Sequence, residues 1–264
     1  MKRVLCLMMA AIMAIALAAC GTPAAQQTDA ATPAPVVTEA PATEPTAEPV
    51  VVFTDAVLEA KVREAMGKPE GDITLAEAEV VTELILNMDG SDWAPPRIAS
   101  VSDLAQFPNL KTLELNWALC NGDEAIDLSP LSGLTKLERL FVCCDNISDL
   151  SALAGMTKMK ELWIWGNGSI SDISALAGMT QTERLWIKGN QIADISALAG
   201  MKNLCLLYME ENQITDVTPL AGLTNLTALT LGSNPIADYS PLAGIYPNLT
   251  EKDFELNGSD AAEY

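Results

Sequence analysis

Between Leu110 and Phe254 the chain returns six times to nearly the same phrase, as in Leu137-Glu-Arg-Leu140-Phe-Val142, Thr182-Glu-Arg-Leu185-Trp-Ile187 and Leu204-Cys-Leu-Leu207-Tyr-Met209. The later copies recur every 22 or 23 residues, and each runs on into an Asn, an Ile, an Asp and a Ser or Thr turn, as in Asn190-Gln-Ile192-Ala-Asp194-Ile195-Ser196. Self-similarity at this period makes a solenoid, because one unit cannot bury its apolar side alone and must stack on the next.

Units begin at Val81, Leu110, Leu137, Met159, Thr182, Leu204 and Leu226, with a truncated strand at Leu249. Within a unit the fourth and sixth residues are apolar and point inward, so alternation sends the third, fifth and seventh to the other face of a parallel sheet. The Asn at the ninth position (Asn167, Asn190, Asn212, Asn234) is read as a ladder serving backbone groups in the turn. Asp149, Asp172, Asp194, Asp216 and Asp238 precede Ser or Thr turns and are read as their caps. The first two units are longer, 29 and 27 residues, with the excess at 89–97 and 118–125, which predicts a lip on one edge. Thr182 at a Leu position and Lys252 at a core position mark departures, and the stack is expected to fray or end near Leu249.

Before the repeats, residues 54–66 read as a helix that Thr54 or Asp55 can cap and that Gly67 and Pro69 end. Thr74-Leu-Ala-Glu77 is a capping box for a second, short helix reaching about Val80. Residues 53–80 therefore predict a helical cap over the open end of the stack, followed by repeats over 81–256 and a disordered tail over 257–264.

This run of repeats, Leu-x-x-Leu-x-Leu-x-x-Asn-x-Ile-x-Asp-Ile-Ser-x-Leu, resembles the bacterial leucine-rich repeats of the internalin type, and the cap with Lys68-Pro69-Glu70-Gly71-Asp72-Ile73-Thr74 looks like the one preceding such repeats in Gram-positive surface proteins. The resemblance covers about residues 53–256. It implies an α/β solenoid, a leucine-rich-repeat horseshoe with a parallel concave sheet, and binding of proteins or sometimes other ligands on that concave face.

The N-terminus carries Lys2 and Arg3, an apolar stretch from Val4 to Ala19, and Leu17-Ala-Ala-Cys20. Residues 1–19 read as a secretory signal, and the last four resemble a bacterial lipobox, which implies that Cys20 becomes the first mature residue and carries lipid. Residues 20–52 are rich in Pro, Thr, Ala and Glu and read as a disordered tether. In extended form at ~3.1 Å per residue, about thirty such residues reach roughly 100 Å. These features predict an extracytoplasmic protein anchored to the bacterial cell membrane through lipid on Cys20.

Without Lys2 and Arg3 the chain keeps 13 basic residues against 35 acidic, a net charge of −22. That disfavours nucleic acid and anionic lipid surfaces as partners. Histidine is absent, which removes imidazole acid–base and metal chemistry. No catalytic residue, metal site or cofactor is assigned, and the chain is read as a non-enzymatic monomer. The acids of the lip, Asp89, Asp92, Asp123 and Glu124, lack a recognised calcium spacing and are read as a solvated edge. A bridge from Cys120 to Cys143 or Cys144 is open in an oxidising compartment, as are free thiols or a vicinal pair, while Cys205 is expected to stay unpaired.

The fifth residues of successive units, Glu114, Phe141, Trp163, Trp186, Tyr208 and Thr230, place four aromatics in one column, and Trp165 joins them from a seventh position. At ~4.8 Å between strands the column is roughly 14 Å long. Contiguous exposed aromatics mark interaction sites, although neighbouring rings also stabilise one another across a sheet. Arg139, Arg184 and Lys188, with Glu161, Glu210 and Glu211, form a mixed polar rim. A shallow face suits a large partner over a small molecule. The expected partner is an extracellular protein bound by Phe141, Trp163, Trp165, Trp186, Tyr208, Arg139, Arg184, Lys188 and Glu210. A glycan stacking on the rings and a passive envelope role are the alternatives.

Overall fold

The computed structural model describes residues 48–88, 97–119, 125–143 and 146–256. Cys20, the tether up to residue 47, the tips of the two insertions with Asp89, Asp92, Trp93, Cys120, Asp123 and Glu124, Cys144, and the tail from 257 lie outside the described residues.

The first helix among the described residues is α1, Ala56–Met66. One oxygen of Asp55 accepts from the Val57 and Leu58 N–H groups, both at 2.9 Å, satisfying donors that have no partner inside the helix. Gly67 ends it with φ +63°, a left-handed conformation that glycine adopts without a Cβ clash. Helix α2, Leu75–Val80, starts from a complete capping box between Thr74 and Glu77.

The ordered cap begins before residue 53. The Val51 N–H donates to the Ile73 carbonyl (2.7 Å) and the Leu75 N–H to the Pro49 carbonyl (2.9 Å). The Gln106 side chain brackets the backbone N–H and carbonyl of Val52 at 2.9 and 2.8 Å. The end of the Pro-rich stretch is therefore held as an extra strand-like segment, because Val51 finds a site where it is only 7% exposed.

Eight short parallel strands follow in sequence order: β1 Glu83–Ile85, β2 Thr112–Glu114, β3 Arg139–Phe141, β4 Glu161–Trp163, β5 Arg184–Trp186, β6 Leu206–Tyr208, β7 Ala228–Thr230 and β8 Glu251–Lys252. Short 3₁₀ turns such as Ser174–Gly178, Ser196–Gly200 and Thr218–Leu220 return the chain on the opposite side. The fourth residues, Leu113 to Leu229, and the sixth, Leu115 to Leu231, are fully buried, and they stack into one continuous core with the Leu and Met residues of the turns.

The ladders read from the sequence are in place. The Asn212 amide donates to the carbonyls of Ile187 and Met209, both at 3.0 Å, and its oxygen accepts from the Ile192 N–H at 3.1 Å. Asp149, Asp172, Asp194, Asp216 and Asp238 each accept at 2.8 Å from the N–H two residues on, an Asx turn that enters the 3₁₀ segment. The eighth position of the unit carries a conformational demand that the consensus phrase does not announce. Gly166 and Gly189 meet it with φ +75° and +69°, while Trp117, Glu211 and Ser233 adopt φ +61°, +57° and +59° despite their side chains.

The stack ends just past Leu249, as expected, but it ends without fraying. Strand β8 still pairs with β7, and Lys252 at the core position turns its amine to the Leu249 carbonyl (3.5 Å) and over the Tyr246 ring (4.6 Å). Phe254, 8% exposed, then stacks on Tyr239 at 4.8 Å and covers the last unit. Among the described residues no helix is long and apolar enough to cross a membrane.

Candidate interaction face on the concave sheet

Because every strand pairs with the next without stagger, residues at the same position of successive units stand abreast. Glu114, Phe141, Trp163, Trp186, Tyr208 and Thr230 form one continuous row of partners. The rings pack on one another: Phe141 against Trp163 edge-on at 4.8 Å, Trp163 against Trp186 tilted by 45° at 4.5 Å, and Trp186 against Tyr208 stacked within 11° at 4.9 Å. Trp186 is thus covered on both faces, and Trp163 has a ring on either side. Trp186 and Tyr208, lying nearly parallel across adjacent strands, turn ring edges toward the concavity.

Phe141, expected among the exposed contact residues, is only 5% exposed. Trp163 meets it on one side, and the Arg139 guanidinium lies 5.6 Å from its ring centre. The accessible part of the column is therefore Trp163, Trp186 and Tyr208, each half-buried.

The third positions of β3, β4 and β5 align Arg139, Glu161 and Arg184. Glu161 is 8% exposed, and one of its oxygens lies 3.3 Å from Arg139 Nε and 3.6 Å from Arg184 Nη1. Its other oxygen accepts from the Trp163 indole N–H at 3.2 Å. Glu161, which the repeat pattern leaves unexplained, is thus committed to orienting an indole and two guanidinium groups.

On the other margin of the column, Lys188 sits over the Trp165 ring at 5.8 Å, which keeps this pair together in the row of seventh positions. Glu210 follows in that row, with one carboxylate oxygen buried and lacking a hydrogen bond. The Tyr208 hydroxyl donates to Glu251 at 3.1 Å. Burial, then the hydrogen bond to Glu251 and the charges of Glu251 and Glu210, push the Tyr208 phenol up to about 12, so it stays a neutral donor. Sequence reasoning missed Glu251. The signal was available, since counting from Leu249 places it at a third position.

Cys143 is buried with its sulfur 3.7 Å from the Trp163 carbonyl, and Cys205 is a half-buried thiol without a disulfide. Cys120 and Cys144 lie outside the described residues. Among the described residues no group of three or more acidic or Cys side chains is placed to hold a metal ion.

Residues 202–244 match the Leucine Rich repeats (2 copies) family. The crystal structure of an internalin (inlF) from Listeria monocytogenes superposes with a TM-score of 0.63 and 31% identity, covering 81% of this chain and 67% of that one. The chain belongs to the internalin family. An internalin C2 of the same organism is 28% identical at a TM-score of 0.56, covering 80% of this internalin-family chain and 99% of its own. A leucine-rich-repeat protein of Leptospira interrogans, 20% identical with a TM-score of 0.53 and 69% and 51% coverage, shares the fold. No curated protein matches the chain.

Proposed function

We propose that this internalin-family chain is a lipid-anchored, extracytoplasmic, non-enzymatic binding protein, and that Trp163, Trp186 and Tyr208 on the concave face engage an extracellular protein. The ring packing carries the reading. Sugar rings and nucleobases stack on open aromatic faces, and here Trp186 is closed on both faces by its neighbours. Outward ring edges, which carry positive partial charge, suit the side chains and carbonyls of a protein surface, including edge-to-face contact with a partner's aromatic residue. Lys188 on Trp165 and the Arg139–Glu161–Arg184 array supply a polar rim around a partly apolar centre, the composition of a protein interface. The leader ending in Leu17-Ala-Ala-Cys20 supports attachment through lipid, and the excess of acidic residues opposes nucleic acid.

The test is capture from host-surface and bacterial-envelope extracts by the wild-type protein beside a Trp186→Ser, Tyr208→Ser double variant of verified fold. A protein retained by the wild type and lost with the variant is the expected result. Loss of capture on enzymatic deglycosylation of the extract would favour the glycan alternative. Identical capture by both proteins would return the column to a purely structural role.

A further inference from the structure

Resting on the protein-binding reading, we infer that the segment docked on the concave face is acidic, with a carboxylate seated between Arg139 and Arg184. The strand register fixes these two arginines on either side of Glu161, and a single carboxylate oxygen serves both, at 3.3 and 3.6 Å. Charge-assisted bonds to arginine settle near 2.7–2.9 Å, so this one oxygen leaves both guanidinium groups incompletely satisfied. Their side chains are 49% and 51% exposed, whereas that of Glu161 is 10% exposed. Two forks share one inner carboxylate and present the rest of their donors to the concavity, an array of net charge +1.

The surroundings give the array its selectivity. Lys188 adds a cation on the opposite margin of the column, and the outward ring edge of Trp186 has the same polarity. Along the face the charge alternates. Glu83 and Glu114 stand toward the cap, the arginines at the centre, and Glu210 and Glu251 toward the far end. A partner carboxylate is attracted only at the centre, which sets its register. A cationic group there would face both arginines. The net charge of −20 does not cancel this preference, because at physiological ionic strength charges more than about 8 Å away are largely screened.

The test uses a random dodecapeptide library displayed on phage and selected on the immobilised full-length protein, with affinities then measured for synthetic copies of the enriched peptides. Three variants accompany the wild type: Trp186→Ser, Arg184→Gln, and a triple Arg139→Gln, Glu161→Gln, Arg184→Gln that removes the array without stranding a buried carboxylate. Enriched peptides rich in Asp or Glu, binding the triple variant at least about tenfold more weakly and losing as much when their acid becomes the amide, are expected. Arg184→Gln, at a half-exposed side chain, reads the same loss if the triple variant does not fold. Peptides lost with Trp186→Ser but indifferent to the arginine variants would overturn the acidic seat and leave the protein-binding reading standing. No enrichment, or enrichment indifferent to Trp186→Ser, would overturn both.

Discussion

Gly189 and Glu211 occupy the same place in neighbouring units, the left-handed eighth residue that turns the chain out of its strand, with φ +69° and +57°. A side chain in that conformation costs about 1–2 kcal/mol, which Gly189 avoids and Glu211 bears. Gly189→Ala should lower stability by about 1 kcal/mol and Glu211→Gly should raise it by up to about 1 kcal/mol, less the backbone entropy glycine gives back. Urea unfolding of the two variants reads both signs. A second residue-scale effect lies in the Asx turns. The backbone N–H and hydroxyl of Ser196 hold the Asp194 carboxyl below its ordinary range, and Asp127, Asp172, Asp216 and Asp238 are lowered by the equivalent pair of hydrogen bonds. A lowered folded value means the contribution is present above the ordinary Asp pKa, about 3.9, and is lost as pH falls through the folded one. Asn at position 194 keeps an acceptor but does not titrate. Asp194→Asn should therefore lose less melting temperature than the wild type between pH 5 and pH 2.5 in circular-dichroism melts.

At the scale of elements, the cap is joined to the first repeat by two carboxylates. Asp55 uses one oxygen to cap α1 and the other to accept from Ala99 and Ser100 N–H at 2.6 and 3.1 Å. Asp103, 4% exposed, accepts from Thr54 N–H at 2.7 Å, Thr54 hydroxyl at 2.9 Å and Asp55 N–H at 3.2 Å. Burial alone would push the Asp103 carboxyl up, but these hydrogen bonds prevail and hold it below its ordinary range. A helix N-cap is worth about 1 kcal/mol, and Asp55 also serves two donors of the next element. Asp55→Ala should thus cost about 2–4 kcal/mol, read by chemical denaturation, with amides of α1 exchanging faster than those of β4 to β6. The sequence offered Thr54 or Asp55 as the cap, and the structure assigns it to Asp55. That its second oxygen grips residues 99–100, some forty-five positions away, was not legible, because helix signals are local and this contact follows only from how α1 lies on the first turn.

For the molecule as a whole, a solenoid exposes two ends, and each must be closed. The helices close one. At the other, inner strands pass an N–H to the next strand's carbonyl, as Met209 does to Thr230 at 3.0 Å, but Leu231 and Gly232 donate instead to the two oxygens of Asp253, both at 2.8 Å. Strand β8 is too short to reach these donors, so the carboxylate takes them and places a charge on an edge that would otherwise template pairing with another chain. Asp253→Ala should release these donors and produce concentration-dependent self-association, measured by sedimentation velocity against the wild type. The period and the alternation of apolar positions were enough, from the sequence, to establish the parallel stack, its Asn and Asp ladders and the column of aromatic residues, because each depends on spacing that repeats along the chain. Tertiary structure alone decided that Trp186 and Tyr208 stack and turn their ring edges outward, that Phe141 is closed over, that Glu161 is shared between two arginines and that Lys252 is accommodated. Those outcomes depend on side-chain packing between strands some twenty residues apart, where distance and ring tilt, not residue identity, determine which atoms remain open to a partner.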